Sequence, residues 1–301
     1  MIFREARGEG RETKMGAEDQ GRVKILREVA ALRQTVANWR AAGESIALTP
    51  TMGALHKGHV SLVALARKRA SRVVMSIFVN PTQFAPNEDF GAYPRTFGAD
   101  VAMFAAAGGD VVFAPDVAEM YGAGFSTLLN VAGPAAAGLE DQFRPTHFAG
   151  VATVVTKLVN QCRPDIAIFG EKDYQQLKVI ERVARDLDLG AEIIGAPTIR
   201  EADGLALSSR NVYLSPEERK AAPALHAALQ RCAAGIRGGG AIDVALAQAR
   251  ASVEAAGFII DYIEARDAET LAPLAAPIGA PVRLLAAARL GKTRLIDNIG
   301  V

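Results

Sequence analysis

The sequence predicts an α/β fold: a doubly wound parallel sheet followed by a second, smaller α+β domain at the carboxyl end. Three observations carry that reading. Short continuous apolar runs alternate with segments of helical periodicity over the first two thirds of the chain, the pattern of a parallel sheet covered on both faces. A turn rich in glycine and histidine, residues 50–59, stands at the joint between one such run and the helix after it. Beyond Pro197 the texture changes to an Ala-rich helical stretch and then to longer strand-like runs.

The elements follow in order. Residues 1–22 are polar, glycine-containing and mixed in charge without periodicity, and are expected to form a disordered extension. Ile25, Val29, Leu32, Val36 and Trp39 recur at helical spacing and predict an amphipathic helix over 25–40. Strands are expected at 46–48, 73–79, 111–113, 166–169 and 193–196, each a short apolar run. Helical spacing falls between them at 60–70, 100–107, 151–161 and 174–187. Ser215-Pro216-Glu217-Glu218 is a helix start, with proline at the first helical position and acids in the first turn. An Ala-rich helix then runs to about 234, glycines 238–240 form a hinge, and another helix reaches about 256. Strand-like runs at 258–265, 282–290 and 294–299 close the chain. The expected division is a larger domain over 23–198 and a smaller α+β domain over 199–301, with 199–211 bordering the cleft between them.

Composition narrows the function. Lys+Arg number 34 against Asp+Glu 33, which gives no basic field of the kind nucleic-acid binding requires. Cys162 and Cys232 are the only two cysteines, too few for a metal cluster, and are expected to be reduced core thiols. No apolar run approaches the ~20 residues of a membrane span, and the amino terminus lacks the apolar core of a secretory signal. A cytoplasmic protein without a membrane partner is the expectation.

The joint itself carries chemistry. Gly53 and Gly58 allow backbone to approach an anion, and the helix beyond them offers unpaired N–H groups and partial positive charge. His56 and His59, three apart, share one side of the first helical turn, so a nucleotide phosphate is the expected ligand. The pair is too short for the i, i+4 histidines of helical zinc sites and has no carboxylate beside it. Neither a Walker phosphate loop nor a G-x-G-x-x-G turn is present. Ligands of doubly wound sheets sit at the carboxyl ends of the strands. There the strand at 73–79 ends in Asn80-Pro81-Thr82-Gln83-Phe84, with amides at Asn80 and Gln83. The strand at 166–169 ends in Gly170-Glu171-Lys172-Asp173-Tyr174-Gln175-Gln176, where Lys172 suits phosphate and Gln176 sits one turn into the next helix. His147 adds a third imidazole near a helix start. Leu207-Ser208-Ser209-Arg210-Asn211 supplies donors that a loop closing over a triphosphate needs.

These blocks together, with Tyr93-Pro94-Arg95-Thr96, Arg144-Pro145-Thr146-His147-Phe148-Ala149-Gly150, and the stretches 200–211 and 290–298, closely resemble the pantothenate synthetase (pantoate–β-alanine ligase) family from about Val23 onward. The His-x-Gly-His element is shared with the wider nucleotidylyltransferase and class I aminoacyl-tRNA synthetase group; the Asn80–Phe84 and Gly170–Gln176 blocks are more discriminating. The resemblance implies a Rossmann-like fold of the HxGH nucleotidylyltransferase type, usually as a homodimer formed through the larger domain. It implies ATP-dependent condensation of pantoate with β-alanine through a pantoyl adenylate, releasing pyrophosphate and AMP, with Mg²⁺ on the triphosphate. By the same resemblance His59, His56 and Lys172 are catalytic. Met52, Gly53, Ala54, Leu55, Lys57, Gly58, Gly170, Glu171, Asp173, Ile199, Leu207, Ser208, Ser209 and Arg210 join them around ATP. Gln83 and Gln176 hold the substrates, and Asn80, Tyr93 and His147 line the site. Two positions depart from the family's pattern. Asp100 matches an acid used near the metal, but Ala99 stands where relatives carry a carboxylate; Lys57 stands where an acid is common and is expected to face solvent.

Overall fold

The computed structural model describes residues 23–85, 88, 90–274 and 281–301; the expected disordered extension, residues 1–22, lies outside them. In chain order the strands and α-helices are β1 (Lys24–Leu26), α1 (Val29–Ala41), β2 (Ile46–Thr51), α2 (Lys57–Arg69), β3 (Arg72–Ile77), α3 (Phe97–Ala106), β4 (Val111–Phe113), α4 (Val117–Met120), α5 (Glu140–Phe143), α6 (His147–Cys162), β5 (Ile166–Gly170), α7 (Tyr174–Asp186) and β6 (Glu192–Ala196). Then follow α8 (Pro216–Ala221), α9 (Ala224–Arg237), α10 (Ile242–Ala255), β7 (Ile259–Asp267), β8 (Val282–Leu290) and β9 (Thr293–Gly300).

The first six strands form one parallel sheet in the order β1-β4-β3-β2-β5-β6. Alternation along each strand divides its side chains between two cores. Ile46, Leu48, Val74, Val111, Phe113, Ala167 and Phe169 pack with Leu32 and Val36 of α1 and with α6 and α7. Ala47, Val73, Met75, Val112, Ile166 and Ile168 face the other way, onto Leu62, Val63 and Ala66 of α2 and Phe104 of α3. Both faces are therefore dry, which explains the unbroken apolar runs in the sequence. From β2 the chain steps outward through β3 and β4, then returns to β5 on the opposite side of β2. The order reverses there, so a crevice opens at the carboxyl ends of β2 and β5. Both joints singled out by the sequence, after Thr51 and after Gly170, end in that crevice.

The last three strands form an antiparallel sheet, β7-β8-β9, whose one face is covered by α9 and α10. Leu205 belongs to this core. Cys162 and Cys232 are free and buried. No helix among the described residues is long and apolar enough to cross a membrane.

Three expected elements are corrected. Lys24–Leu26 is not the start of a helix but a short edge strand in register with β4, Lys24 opposite Val111; the helix begins at Val29. Three residues are too few to show a strand period, and Ile25 happened to fall in phase with the helical stripe. The Ala-rich helix is two helices, because Pro223 has no N–H to continue the ladder after Ala221. The predicted helix at 60 begins at Lys57, which puts His59 inside its first turn.

Candidate active site

At the joint after β2 the chain turns through Gly53 (φ +84°) and Ala54 (φ +50°), two consecutive residues in the left-handed region. The turn aims the N–H groups of Ala54 and Leu55 at one anion, but that anion is the chain's own: they donate to Asp100 Oδ2 and Oδ1 at 3.0 and 2.8 Å. Thr96 Oγ1 donates to the same carboxylate at 3.0 Å, and Asp100 is 2% exposed. A Cβ on Gly53 would stand 3.0 Å from Asp100 Oδ2. Here glycine serves the close packing of α3 against the turn, and Asp100, expected near the metal, anchors that turn through its carboxylate.

The two histidines cap α2. His56 Nδ1 accepts from the Gly58 N–H at 3.1 Å, and His59 Nδ1 accepts from the His56 N–H at 3.2 Å. A backbone N–H can only donate, so each ring is neutral at Nδ1 and carries its proton on Nε2. Orphan donors of the first turn are satisfied by this reciprocal arrangement, an imidazole version of the capping box. The rings lie 4.2 Å apart between centroids. Burial, and then the nearby Lys172 ammonium, hold the His56 pKa down to about 4. Burial and the neighbouring His56 ring hold His59 at about 3. At neutral pH the site therefore presents two uncharged N–H donors.

These donors line a cavity of about 230 Å³ at the carboxyl edge of the sheet. Met52, Gly58, Asn80, Gln83, Tyr93, His147, Gly170, Lys172, Asp173, Gln176, Ile199, Leu207, Ser208, Ser209 and Arg210 line it too. Lys172 and Asp173 come from a short 3₁₀ turn between β5 and α7, with Lys172 Nζ 3.9 Å from Asp173 Oδ1. The Ser208–Arg210 stretch comes from beyond β6; Tyr93 Oη lies 3.5 Å from Ser209 Oγ, and the Arg210 guanidinium 6.0 Å from the Tyr93 ring centre. A larger space of about 670 Å³ adjoins it, sharing Lys172, Asp173, Gln176, Ser208 and Arg210 and reaching the β7–β9 sheet.

The Asn80–Phe84 block is fixed from behind. Asn80 Nδ2 donates to Gln83 Oε1 at 3.0 Å and to the Gly150 carbonyl at 3.2 Å, while Asn80 Oδ1 accepts from Tyr121 Oη at 2.8 Å. His147, expected to line the site as a ligand contact, has both ring nitrogens within hydrogen-bonding distance of protein groups. Its Nδ1 donates to the Gln83 carbonyl at 3.0 Å and its Nε2 accepts from Arg144 at 3.3 Å. It positions Gln83.

Several expected contacts do not reach the cavity. Ala54 and Leu55 donate to Asp100, Gly53 donates to Thr51 Oγ1, and Lys57 is exposed to solvent. Glu171 points to the second sheet, pairing with Arg283 at 3.1 Å. Conversely, the sequence reading missed the apolar wall made by Val151, Val154, Val155 and Leu158 of α6. Their i, i+3, i+4, i+7 spacing also describes a core stripe, and nothing in one sequence separates the two. Arg144 also lines the cavity, though its sequence context alone assigns it no role.

Fold and site define an α/β enzyme of the doubly wound class, with its ligand cavity at the switch point of the parallel sheet beside a His-x-Gly-His turn. The family model described as pantoate-β-alanine ligase matches residues 24–300. The chain is 61% identical to pantothenate synthetase 2 of Bradyrhizobium diazoefficiens and 59% to a pantothenate synthetase of Rhodopseudomonas palustris, in each case over 92% of this chain and 98% of the relative. Among solved structures, Thermus thermophilus pantothenate synthetase superposes with a TM-score of 0.87 at 46% identity, covering 92% of this chain and 99% of that one. A Francisella tularensis pantoate-β-alanine ligase complexed with beta-gamma ATP and β-alanine has a TM-score of 0.76 at 31% identity, covering 92% and 97%. The chain belongs to the pantoate–β-alanine ligase family and is a ligase.

Proposed function

We propose that this ligase joins pantoate to β-alanine in two ATP-driven steps within the described cavity. A pantoate carboxylate oxygen attacks the α-phosphorus of ATP, the bond from that phosphorus to the bridging oxygen breaks, and pyrophosphate leaves. The β-alanine amine then attacks the acyl carbon of pantoyl adenylate, the acyl–oxygen bond breaks, AMP leaves, and the amine proton passes to solvent. A free carboxylate is a poor electrophile; adenylation gives it a good leaving group.

The observation that carries this reading is that His56, His59 and Lys172 line one cavity, the two imidazoles with Nδ1 taken by the main chain and Nε2–H left to donate. Adenylation builds negative charge on the α-phosphate and the departing pyrophosphate. Fixed donors there favour the transition state over the ground state. Because both imidazoles are neutral, they stabilise that charge as hydrogen-bond donors, and Lys172 supplies the full positive charge. Met52, Gly58, Gly170, Asp173, Ile199, Leu207, Ser208, Ser209 and Arg210 surround ATP in this reading. Gln83 and Gln176 hold the organic substrates, beside Asn80 and Tyr93. The branched carbon skeleton of pantoate suits the valine wall of α6. Mg²⁺ arrives as part of the nucleotide substrate, its ligands chiefly phosphate oxygens. The smaller unit, 199–301, closes the nucleotide side of a larger one, 23–198; the family resemblance supports a homodimer acting in the cytoplasm.

Pantoate-dependent exchange of labelled pyrophosphate into ATP tests the first step, and AMP formation on adding β-alanine tests the second. Exchange with pantoate alone and AMP release only with both substrates are expected. ATP binding without exchange refutes the adenylate route.

A further inference from the structure

Asn298, near the end of β9, is 3% exposed and carries no role in the mechanism above. Both of its amide N–H groups donate to main-chain carbonyls of the turn after β5: Glu171 at 2.9 Å and Lys172 at 2.8 Å. Its Oδ1 accepts from Arg283 Nε at 2.8 Å. Arg283 also binds Glu171 Oε2 at 3.1 Å and lies 4.0 Å from the Tyr174 ring centre, so the amide cannot rotate without breaking a packed cluster. Neither N-cap residue, Gly170 for the 3₁₀ turn or Asp173 for α7, makes a side-chain cap. Two of the turn's carbonyls thus receive a donor from the other sheet.

The preceding residue holds the opposite wall. Asp297 receives Arg200 in a two-pronged pair at 2.7 and 2.8 Å, and Arg200 also donates to the Gly204 carbonyl at 3.1 Å. Leu207 N–H returns to the Ile199 carbonyl at 3.0 Å, so the base of the segment that presents Ser208–Arg210 is fixed at Arg200. One dipeptide of β9 therefore grips both segments whose tips carry Lys172 and Arg210. A lysine stem is flexible, and its main chain sets the point from which it reaches.

We propose that Asn298 is a positioning residue for the ligase reaction: it fixes the main chain of Lys172, and so the place from which the Lys172 ammonium meets the triphosphate. This rests on the reading of Lys172 as a phosphate ligand. Two carbonyls facing one side chain require two donors, which asparagine has and aspartate lacks. Asn298→Asp keeps the size of the side chain and the bond to Arg283 while setting oxygen against the two carbonyls.

The test is a double-mutant cycle on the full chain with Lys172→Ala, reading kcat/KM for ATP. In the wild-type background Asn298→Asp is expected to lower it about 10- to 100-fold, the scale of a misplaced catalytic group, with KM for pantoate changed less than about twofold. In the Lys172→Ala background the same substitution is expected to change it less than about twofold, since the group it positions is gone. Equal losses in both backgrounds overturn the proposal. Lys172→Ala without loss overturns the phosphate reading on which it stands, a different result. Asn298→Ser, which keeps one donor, is expected to fall between wild type and Asn298→Asp. If neither variant gives a folded protein by circular dichroism, the contact is structural and the proposal fails.

Discussion

Arg144 and His147 converge on one acceptor, the main-chain carbonyl of Gln83, with Nη2 at 3.3 Å and Nδ1 at 3.0 Å. Arg144 is itself held by Glu88 at 2.7 and 2.8 Å and reaches His147 Nε2 at 3.3 Å. Only the neutral imidazole can accept from a guanidinium while donating to a carbonyl. Burial, and then the Arg144 charge, push the His147 pKa down to about 4. In an unfolded chain it titrates near ~6.5. Between those values the unfolded chain binds more protons, so stability rises with pH across the window and is complete above about 6.5. Acidification to the folded pKa withdraws about 3 kcal/mol from this one residue. His147→Gln is expected to be less stable than wild type at pH 7. The gap in Tm between the two should narrow as pH falls toward 4, which scanning calorimetry over that range checks.

Capping and chemistry can be separated at His56. Asparagine is a good cap and can accept from the Gly58 N–H as Nδ1 does, but it has no group at the place of Nε2. His56→Asn is therefore expected to keep Tm near wild type and lose about 10²–10³ in kcat/KM for ATP, the usual loss of one transition-state donor. His56→Ala should lose the same rate and in addition about 1 kcal/mol of stability. Because burial keeps His56 and His59 at about 4 and about 3, neither should give an inflection near pH 6.5 in the wild-type profile of kcat/KM. A variant that stays fully active without the imidazole removes His56 from the mechanism.

Asp100 provides the next prediction, on metal dependence. Its carboxylate accepts from Ala54, Leu55 and Thr96, and the residue is buried outside the cavity lining. Asp100→Ala leaves two main-chain donors without a partner, which typically costs about 1–3 kcal/mol for each buried group. The turn bearing Met52 and His56 should loosen, so KM for ATP should rise. The Mg²⁺ concentration giving half-maximal rate at saturating ATP should not move; a marked rise in that concentration would make Asp100 a metal ligand.

Much of this was legible from residue order, and the exceptions have physical causes. Strands buried on both faces must be continuously apolar, so β2 to β6 could be placed within a few residues at each end. His56, His59 and Lys172 could be singled out because each follows the carboxyl end of a strand, where ligands of such sheets gather; that their two strands are neighbours emerges only from the sheet order. What failed depended on distant partners. Gly53 and Ala54 make an anion-facing turn, but whether the anion is a ligand or Asp100 is decided 46 residues away. Lys24–Leu26 is a strand only because β4 offers it an edge. The work of Asn298 and Arg283 is invisible until β8 and β9 are laid against the turn at Glu171.

Gly150 sets how closely α6 approaches the Gln83 turn. A Cβ built there would stand 2.5 Å from the Thr82 carbonyl oxygen and 2.7 Å from the Gln83 nitrogen, both main-chain atoms that cannot swing aside. The Gly150 carbonyl meanwhile accepts from Asn80, so the helix cannot back away without breaking that bond. Gly150→Ala must therefore shift the turn, at about 1–3 kcal/mol for overpacking. The shift moves Gln83 and Asn80 together, away from Met52, whose Sδ lies 3.2 Å from Gln83 Nε2. The His56–His59 turn and Lys172 sit on other strand ends and should stay in place. The expected signature is a raised KM for pantoate and for β-alanine with KM for ATP nearly unchanged. Gly235→Ala in α9 is the control: its nearest Cβ contact is an ordinary 3.8 Å, so it should be neutral or stabilising by up to about 1 kcal/mol with unaltered kinetics. Equal rises in all three KM values for Gly150→Ala would mean that the substrate and nucleotide walls move as one body, and that Gln83 is not independently placed.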